Sequence, residues 1–244
     1  MTSKIRLFVD HPLGPGQTVP LNADQANYLF NVMRLQPGTV LSLINGRDGE
    51  WDASVVSAAK RHGTLLASRQ TKPLQLPPDL WLAFAPIKKT RTDFIIEKAT
   101  ELGTARMIPI LSDHTNSERV RVDRLQAHVI EAVEQCGGTA LPEVADPVAL
   151  SAFLDHFPAG RTLWFCDEAL VGQPSGFPAD ATAGPACILI GPEGGFSARE
   201  RDRLRTLPFA RSIALGPRIL RADTAALAAL TLWQAGLGDW NSHG

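Results

Sequence analysis

Several things that would narrow the function quickly are missing from this chain. Of its 244 residues only three are cysteine (Cys136, Cys166 and Cys187). They are odd in number and lack Cys-x-x-Cys spacing, so neither a disulfide framework nor a zinc site is indicated, and a reducing cytoplasm is expected. Long apolar runs are also missing. The longest uncharged stretch, Thr224 to Gly238, is too short and too polar to span a bilayer, and the N-terminus carries Lys4 and Arg6 without the apolar centre of a signal peptide. A strong excess of one charge is absent too. The formal net charge is −1, which argues against a protein coated in basic groups for nonspecific nucleic-acid binding. Finally, no glycine-rich turn is followed by Lys-Ser/Thr, and none has the three spaced glycines of a dinucleotide site, so a phosphate cradle is not expected.

What is present is an ordinary globular composition, 44% hydrophobic and 20% charged, at a length that suits one or two domains. The charge is unevenly spread. Met1 to Lys72 holds 8 Lys+Arg against 5 Asp+Glu, and Pro73 onward holds 16 against 20. A weakly basic small domain beside an acidic larger one is compatible with RNA contact through the first, although a solvated surface accounts for so small an excess equally well.

The first segment reads as mostly β. Strands are expected at Ile5 to Val9, Thr39 to Ile44, Glu50 to Ser57 and Thr64 to Arg69, with turns at Asn45-Gly46 and Asp48-Gly49. One helix begins after Asn22, presents Tyr28-Leu29 and Val32-Met33, and stops at Pro37-Gly38. Several short strands with one helix describe a small barrel over residues 1–72. The proline-punctuated stretch Lys72 to Pro78 then suggests a domain boundary near residue 73.

Beyond it, strands alternate with helices. Strands are expected at Leu80 to Ala85, Met107 to Leu111, Leu163 to Cys166, Cys187 to Ile190 and Ile213 to Leu215. Helices are expected at Asp93 to Leu102, at Val122 to Cys136 with Leu125, Val129, Ala132 and Cys136 inward, from Ser197 and from Thr224. Five strands separated by helices indicate an α/β fold with a largely parallel sheet, whose ligands gather at the carboxyl ends of the strands.

Two of these units share a form, strand, glycine turn and helix, which leaves backbone N–H groups and a helix N-terminus facing a ligand. The first turn is Gly191-Pro192-Glu193-Gly194-Gly195, followed by Ser197 and Glu200 as a capping box. The second is Gly216-Pro217 with Arg218-Ile219-Leu220-Arg221-Ala222-Asp223. A third strand end carries Pro86-Ile87-Lys88-Lys89-Thr90-Arg91, a cationic loop that could be a solvated surface or could hold a phosphate backbone.

The sequences GPEGGFSxxE and LGPRILRADTA resemble the closing motifs of the RsmE-type 16S ribosomal RNA uridine-N3 methyltransferases, in the SPOUT class. The stretches APIKKTRTDFIIEKATELG, Ser117-Glu118-Arg119 and Glu131 to Cys136 are similar to segments of the same family, in order. Asn27-Tyr28-Leu29 with Val32-Met33-Arg34-Leu35 resembles the helix of its opening PUA-like RNA-binding domain, where His is common at the position of Asn27. Two positions depart from the pattern: Gly138 replaces an arginine, and Asp223 stands where glutamate is usual.

The resemblance implies a PUA-like β-barrel domain over 1–72 and a SPOUT methyltransferase domain over 73–244, with a parallel sheet and a C-terminal trefoil knot. It implies S-adenosylmethionine (SAM) as cofactor, held by Leu189, Gly191, Pro192, Glu193, Gly195, Leu215, Gly216, Ile219, Leu220, Arg221 and Thr224. It further implies 16S ribosomal RNA, in the small ribosomal subunit, as the partner, met by Arg34, Lys88, Lys89, Arg91 and Arg119. A homodimer is implied as well, and no metal.

Arg221 and Glu193 are the catalytic candidates. Arg221 could stabilise the uridine anion or could only hold its loop by pairing with Asp223 or Glu193; Glu193 could act as a base or hold the cofactor. A noncatalytic RNA-binding assembly factor, a methyltransferase with another target base, and a phosphohydrolase using Asp167-Glu168 are the competing readings. The first leaves the two glycine turns without a purpose.

Overall fold

The computed structural model describes residues 5–116 and 119–241. Lys4, Ser117 and Glu118 lie outside the described residues, so of the motif Ser117-Glu118-Arg119 only the arginine falls within them. The chain divides into two units. One runs through Leu76 and takes in Val133–Leu141; the other comprises Pro77–Ala132 and the chain from Pro142 onward.

In the first unit the elements are β1 (Arg6–Phe8), β2 (Thr18–Leu21), α1 (Ala23–Ala26), β3 (Val40–Ile44), β4 (Glu50–Ala59) and β5 (His62–Lys72). They form a five-stranded sheet in the order β1-β3-β4-β5-β2, antiparallel except for the parallel pair β1 and β3. Alternating inward residues build the core, among them Leu7, Val19, Leu41, Leu43, Val55 and Leu65, covered by Leu29. β2 was not among the expected strands, because Pro20 sits in its middle. Proline removes a ladder donor and is tolerated on an edge strand, which is where β2 lies.

Asn22 caps α1 through a capping box with Gln25. The helix then widens into a π-helical turn, Asn27–Val32, and ends at Met33, four residues before the expected stop at Pro37. Arg34, at φ 58°, reverses the chain instead. Across the unit, the Arg6 guanidinium bonds the carbonyls of Val133, Glu134 and Gly138 and the Glu50 carboxylate, which satisfies the open end of a helix that begins in the other unit.

The second unit contains β6 (Leu80–Phe84), α2 (Lys89–Glu101), β7 (Arg106–Leu111), α3 (Val122–Cys136), β8 (Glu143–Val144), β9 (Val148–Ala149) and α4 (Leu150–Asp155). It continues with β10 (Thr162–Cys166), β11 (Ala186–Ile190), α5 (Ala198–Thr206), β12 (Ala210–Ile213) and α6 (Ala222–Gly236). The sheet is parallel in the order β12-β10-β11-β6-β7-β8, with β9 on β7. All five residues of β11 are buried, as expected of a central strand covered on both faces. One face carries Ala83, Ile108, Leu163, Phe165, Cys187 and Leu189 against Leu150, Phe153, Phe196 and Leu204. α6 packs on β11 and α2, and the buried Gln234 donates to Leu102 O at 2.7 Å, locking the two helix ends together.

Among the described residues seven strands stand in this sheet where five were expected, since β8 and β9 have two residues each and carry no readable period. Three other expectations are corrected. α2 starts at Lys89 rather than Asp93: its N-cap Lys88 makes no side-chain bond, and the buried Thr92 hydroxyl instead bridges Ile87 N and O at 3.1 and 3.0 Å. α6 starts at Ala222, not Thr224, with Arg221 at its N-cap. Cys136 is exposed, because the buried side of the last turn of α3 is taken by Val133.

Candidate active site

The carboxyl ends of β10, β11 and β12 open into one cavity of about 210 Å³. Each strand contributes a loop. After β11, the chain turns at Gly191, over which the Phe196 ring packs so closely that an added Cβ would sit 3.1 Å from it. The turn reaches Gly195 at φ +66°, a conformation that favours glycine. There an added Cβ would come within 2.1 Å of Glu168 Oε1, so the missing side chain lets that carboxylate lie against the backbone.

The turn is held from behind. Ser197 and Glu200 form the expected capping box, and the free oxygen of Glu200 accepts from Asp113 N at 2.8 Å. Ser197 donates to Asp113 Oδ2 at 2.6 Å, and this hydroxyl is the main reason the Asp113 carboxyl is held below its ordinary value. His114 Nδ1 lies 3.1 Å from the carbonyls of both Gly194 and Gly195. Two acceptors require Nδ1 to carry the proton.

After β12, residues Leu215 to Arg221 cross the cavity in an irregular conformation. The N–H groups of Leu215, Ile219 and Leu220 make no hydrogen bond among the described residues, and Ile219 is 78% exposed, unusual for its type. Arg221 caps α6 by position only, with no side-chain bond to the helix. Asp223 is paired with Arg91 at 2.8 Å and its other oxygen accepts from Thr224 N. Among the described residues, Arg218, Arg221 and Glu193 are exposed and without an ion pair.

The third loop follows β10. Asp167 is buried, receives Arg205 at 2.6 Å and accepts from Ala169 N, while Glu168 faces the cavity with Arg201 3.5 Å away. Asp167 is thus committed to structure. Burial pushes the Cys166 thiol far up, so this part of the wall is neutral.

Of the residues named from sequence, Gly191, Pro192, Glu193, Gly195, Leu215, Gly216, Ile219, Leu220 and Arg221 line the cavity. Leu189 and Thr224 do not. Leu189 is fully buried in the core, because side chains alternate along β11 and it is Ile190 that reaches the cavity. Thr224 is exposed on the first turn of α6. Of the cations, Lys88, Lys89 and Arg119 are exposed and unpaired among the described residues, Arg91 is tied to Asp223, and Arg34 belongs to the other unit. The sequence reading missed the lining from Cys166, Glu168, Val171 and Arg201 and the clasp by His114. Asp167-Glu168 at a strand end was the one available signal.

Comparison with known proteins agrees with this geometry. Residues 74–234 match the model of an RNA methyltransferase domain, and residues 21–66 that of an RNA methyltransferase PUA domain. The ribosomal RNA small subunit methyltransferase E of Synechocystis is 34% identical over 219 residues, covering 87% of this chain and 71% of its own.

This chain belongs to the RsmE-type RNA methyltransferase family.

The namesake of Rickettsia conorii is 29% identical over 92% of this chain and 93% of its own. Among solved structures, a ribosomal RNA small subunit methyltransferase E of Neisseria gonorrhoeae bound to S-adenosyl methionine superposes with a TM-score of 0.86 at 27% identity, covering 98% of this chain and 100% of that one. A Legionella pneumophila protein in complex with SAM gives the same score and coverage at 28% identity. The five-stranded unit is therefore the PUA-like domain of an RsmE-type protein, and the parallel sheet is its methyltransferase fold.

Proposed function

We propose that this RsmE-type protein transfers the methyl group of SAM to N3 of a uridine in 16S ribosomal RNA, within the small ribosomal subunit. The observation that carries this reading is the loop Leu215 to Arg221. Beside a wall of Ile190, Ile213 and Ala225 it leaves backbone N–H groups without partners, and a purine is recognised by such groups together with an apolar face. The residues fit the cofactor: glycine turns for close approach, and Glu168 and Glu193 as acceptors for hydroxyl or ammonium groups. When bound, SAM supplies a methyl group activated by its sulfonium.

The chain's own residues must do the rest. Neutral N3 of uridine is a poor nucleophile; on losing its proton it spreads negative charge onto O2 and O4. We assign Arg221 to that charge, because its guanidinium is at the cavity, exposed and without a carboxylate partner among the described residues. Asp223, which could have neutralised it, is occupied by Arg91. Glu193 is exposed and solvated, and we assign it to holding the cofactor rather than to removing the proton.

Lys88, Lys89 and Arg119 serve the RNA backbone in this reading, with Arg91 fixing the α6 entry and Arg34 contributing from the PUA-like domain. The reading also takes residues 1–72 as the RNA platform and 73–244 as the catalytic domain, with a C-terminal trefoil knot and a homodimer. The apolar character of α6, with Leu232 exposed, supports a further covered face.

The test has two parts. Calorimetry measures SAM binding to the purified protein, and mass spectrometry of nucleosides reads N3-methyluridine in small-subunit RNA after incubation with SAM. RNA binding without SAM binding would favour an assembly factor. A methyl group on another atom would overturn the target base.

A further inference from the structure

The turn after β11 is gripped by two neighbouring residues of the loop that follows β7, Asp113 and His114, neither of which lines the cavity. That loop is itself closed: Ser112 N donates to Thr115 Oγ1 at 2.9 Å, and Thr115 N to Ser112 O at 3.0 Å. Asp113 holds the start of α5. Its carboxylate accepts from Ser197 Oγ and pairs with Arg199, and its N–H donates to Glu200. His114 holds the turn itself. A Cβ on Gly194 would lie 3.4 Å from His114 Cβ, so glycine there lets the two chains approach, and Nδ1 reaches Gly194 O and Gly195 O, each at 3.1 Å. Neither carbonyl accepts from another group among the described residues.

This grip reaches the cavity through Gly195. Two carbonyl oxygens brought to one point repel each other unless a donor stands between them, and the His114 ring supplies it. A trans peptide points its N–H away from its carbonyl, so holding Gly195 O at His114 turns the Phe196 N–H the opposite way. That N–H makes no hydrogen bond among the described residues, and Gly195 and Phe196 both line the cavity. Gly195 is also the seat of Glu168, whose carboxylate lies where a Cβ would be and has Arg201 3.5 Å away. Without a side chain and at φ +66°, Gly195 has the backbone freedom to leave this conformation, and Glu168 would lose its seat with it.

We infer that His114 is a positioning residue for the cofactor: by donating from Nδ1 to Gly194 O and Gly195 O it holds the glycine turn in the shape that binds SAM. It acts through the turn, since the ring itself does not line the cavity. The neutral ring must carry its proton on Nδ1, and an imidazolium donates from the same atom, so only the opposite tautomer releases the carbonyls. The inference rests on SAM as the ligand of this cavity and adds a residue from outside both the glycine turns and the cavity wall.

The experiment uses the full chain. Calorimetry gives the Kd for SAM, thermal unfolding without ligand follows the fold, and heteronuclear NMR of the histidine rings reads the tautomer of His114, assigned by the signals that His114→Asn removes. Asparagine places an amide nitrogen where Nδ1 stands, and aspartate has the same shape without a donor. His114→Ala is expected to weaken SAM binding about fivefold, as the loss of roughly one net hydrogen bond implies. His114→Asp is expected to weaken it on the order of tenfold or more, because a carboxylate then faces two carbonyls. His114→Asn binds SAM as the wild type does, and the neutral wild-type ring shows its proton on Nδ1.

Equal SAM affinity in His114→Asn and His114→Asp would overturn the inference, because donation would then not matter. An alanine variant that unfolds at a lower temperature yet binds SAM normally would reduce His114 to a stabilising contact and overturn it too. A wild-type ring protonated on Nε2 alone would do so without any variant. A wild type that binds no SAM would instead bring down the cofactor reading, and the role of His114 with it, even where NMR shows the proton on Nδ1.

Discussion

Arg221→Ala separates catalysis from architecture most cleanly. The side chain is exposed, makes no cap bond and has no ion-pair partner among the described residues, so its loss removes no stabilising contact. Stability should change by less than about 0.5 kcal/mol. For a chain of this length that is a shift in Tm of about 1–2 °C. The rate should respond very differently. A lost donor to a developing oxyanion costs about 2.7–4 kcal/mol, or roughly 10²–10³ in kcat. The assay is single-turnover methylation at saturating SAM and RNA from neutral to alkaline pH. If Arg221 favours the ionised uridine, the wild-type rate levels off at a lower pH than the variant's. The variant, still climbing as N3 ionises unaided, recovers part of its deficit. A deficit of constant size at every pH would refute an action on ionisation. A normal rate at saturation, with weaker SAM binding, would move Arg221 from the reaction to the cofactor.

Three further outcomes are expected. The Arg91–Asp223 pair is about one-third exposed on the arginine side, so a double-mutant cycle with Arg91→Ala and Asp223→Ala should give a coupling of about 0.5–1 kcal/mol in urea denaturation, and zero coupling would show that the pair only fills space. Gly195→Val forces a branched side chain into a left-handed backbone, at a cost of about 1–2 kcal/mol, and drives Glu168 from its seat; a folded variant that binds SAM normally by calorimetry would exclude this turn from the site. Glu50 is buried, which pushes its carboxyl up, but hydrogen bonds from Thr71 and Arg6 and the charges of Arg6 and Lys72 more than offset this and hold it below the ordinary 4.5. Its contribution to stability is therefore complete above that value and is lost as pH falls below it, so Glu50→Gln should flatten the acid limb of a stability–pH curve, and parallel limbs would refute the assignment.

Local chemistry wrote much of this protein into its sequence. Ser197 and Glu200 three residues apart announce a helix start because both bonds of a capping box close within one turn, and they form as expected. Val122 to Cys136 is legible because its apolar residues recur at the helical period and Gly137, at φ +80°, can end it. The glycine turns after β11 and β12 were visible for the same reason: a backbone that must adopt special angles needs particular residues. Where the local signal was absent, the reading failed. Lys88 and Arg221 start helices without a side-chain cap, and β8 and β9 are too short to show a period.

Other features depend on residues that no local rule connects. Val133–Leu141 belongs with the first unit, where Arg6, more than a hundred positions away, bonds its carbonyls. Strand order brings the loop after β10 beside those after β11 and β12, so Glu168 joins a cavity that the motifs alone did not assign to it. Likewise Arg91 and Asp223, 132 residues apart, neutralise each other and leave Arg221 without an ion pair among the described residues, although in sequence Asp223 is the partner nearest to Arg221. Turns, caps and periodicity are decided by interactions within a few residues, and these the sequence determined by itself. Which side chains line the cavity, and which charges remain unpaired there, follows from strands and helices packing across long separations, and only the tertiary structure decided it.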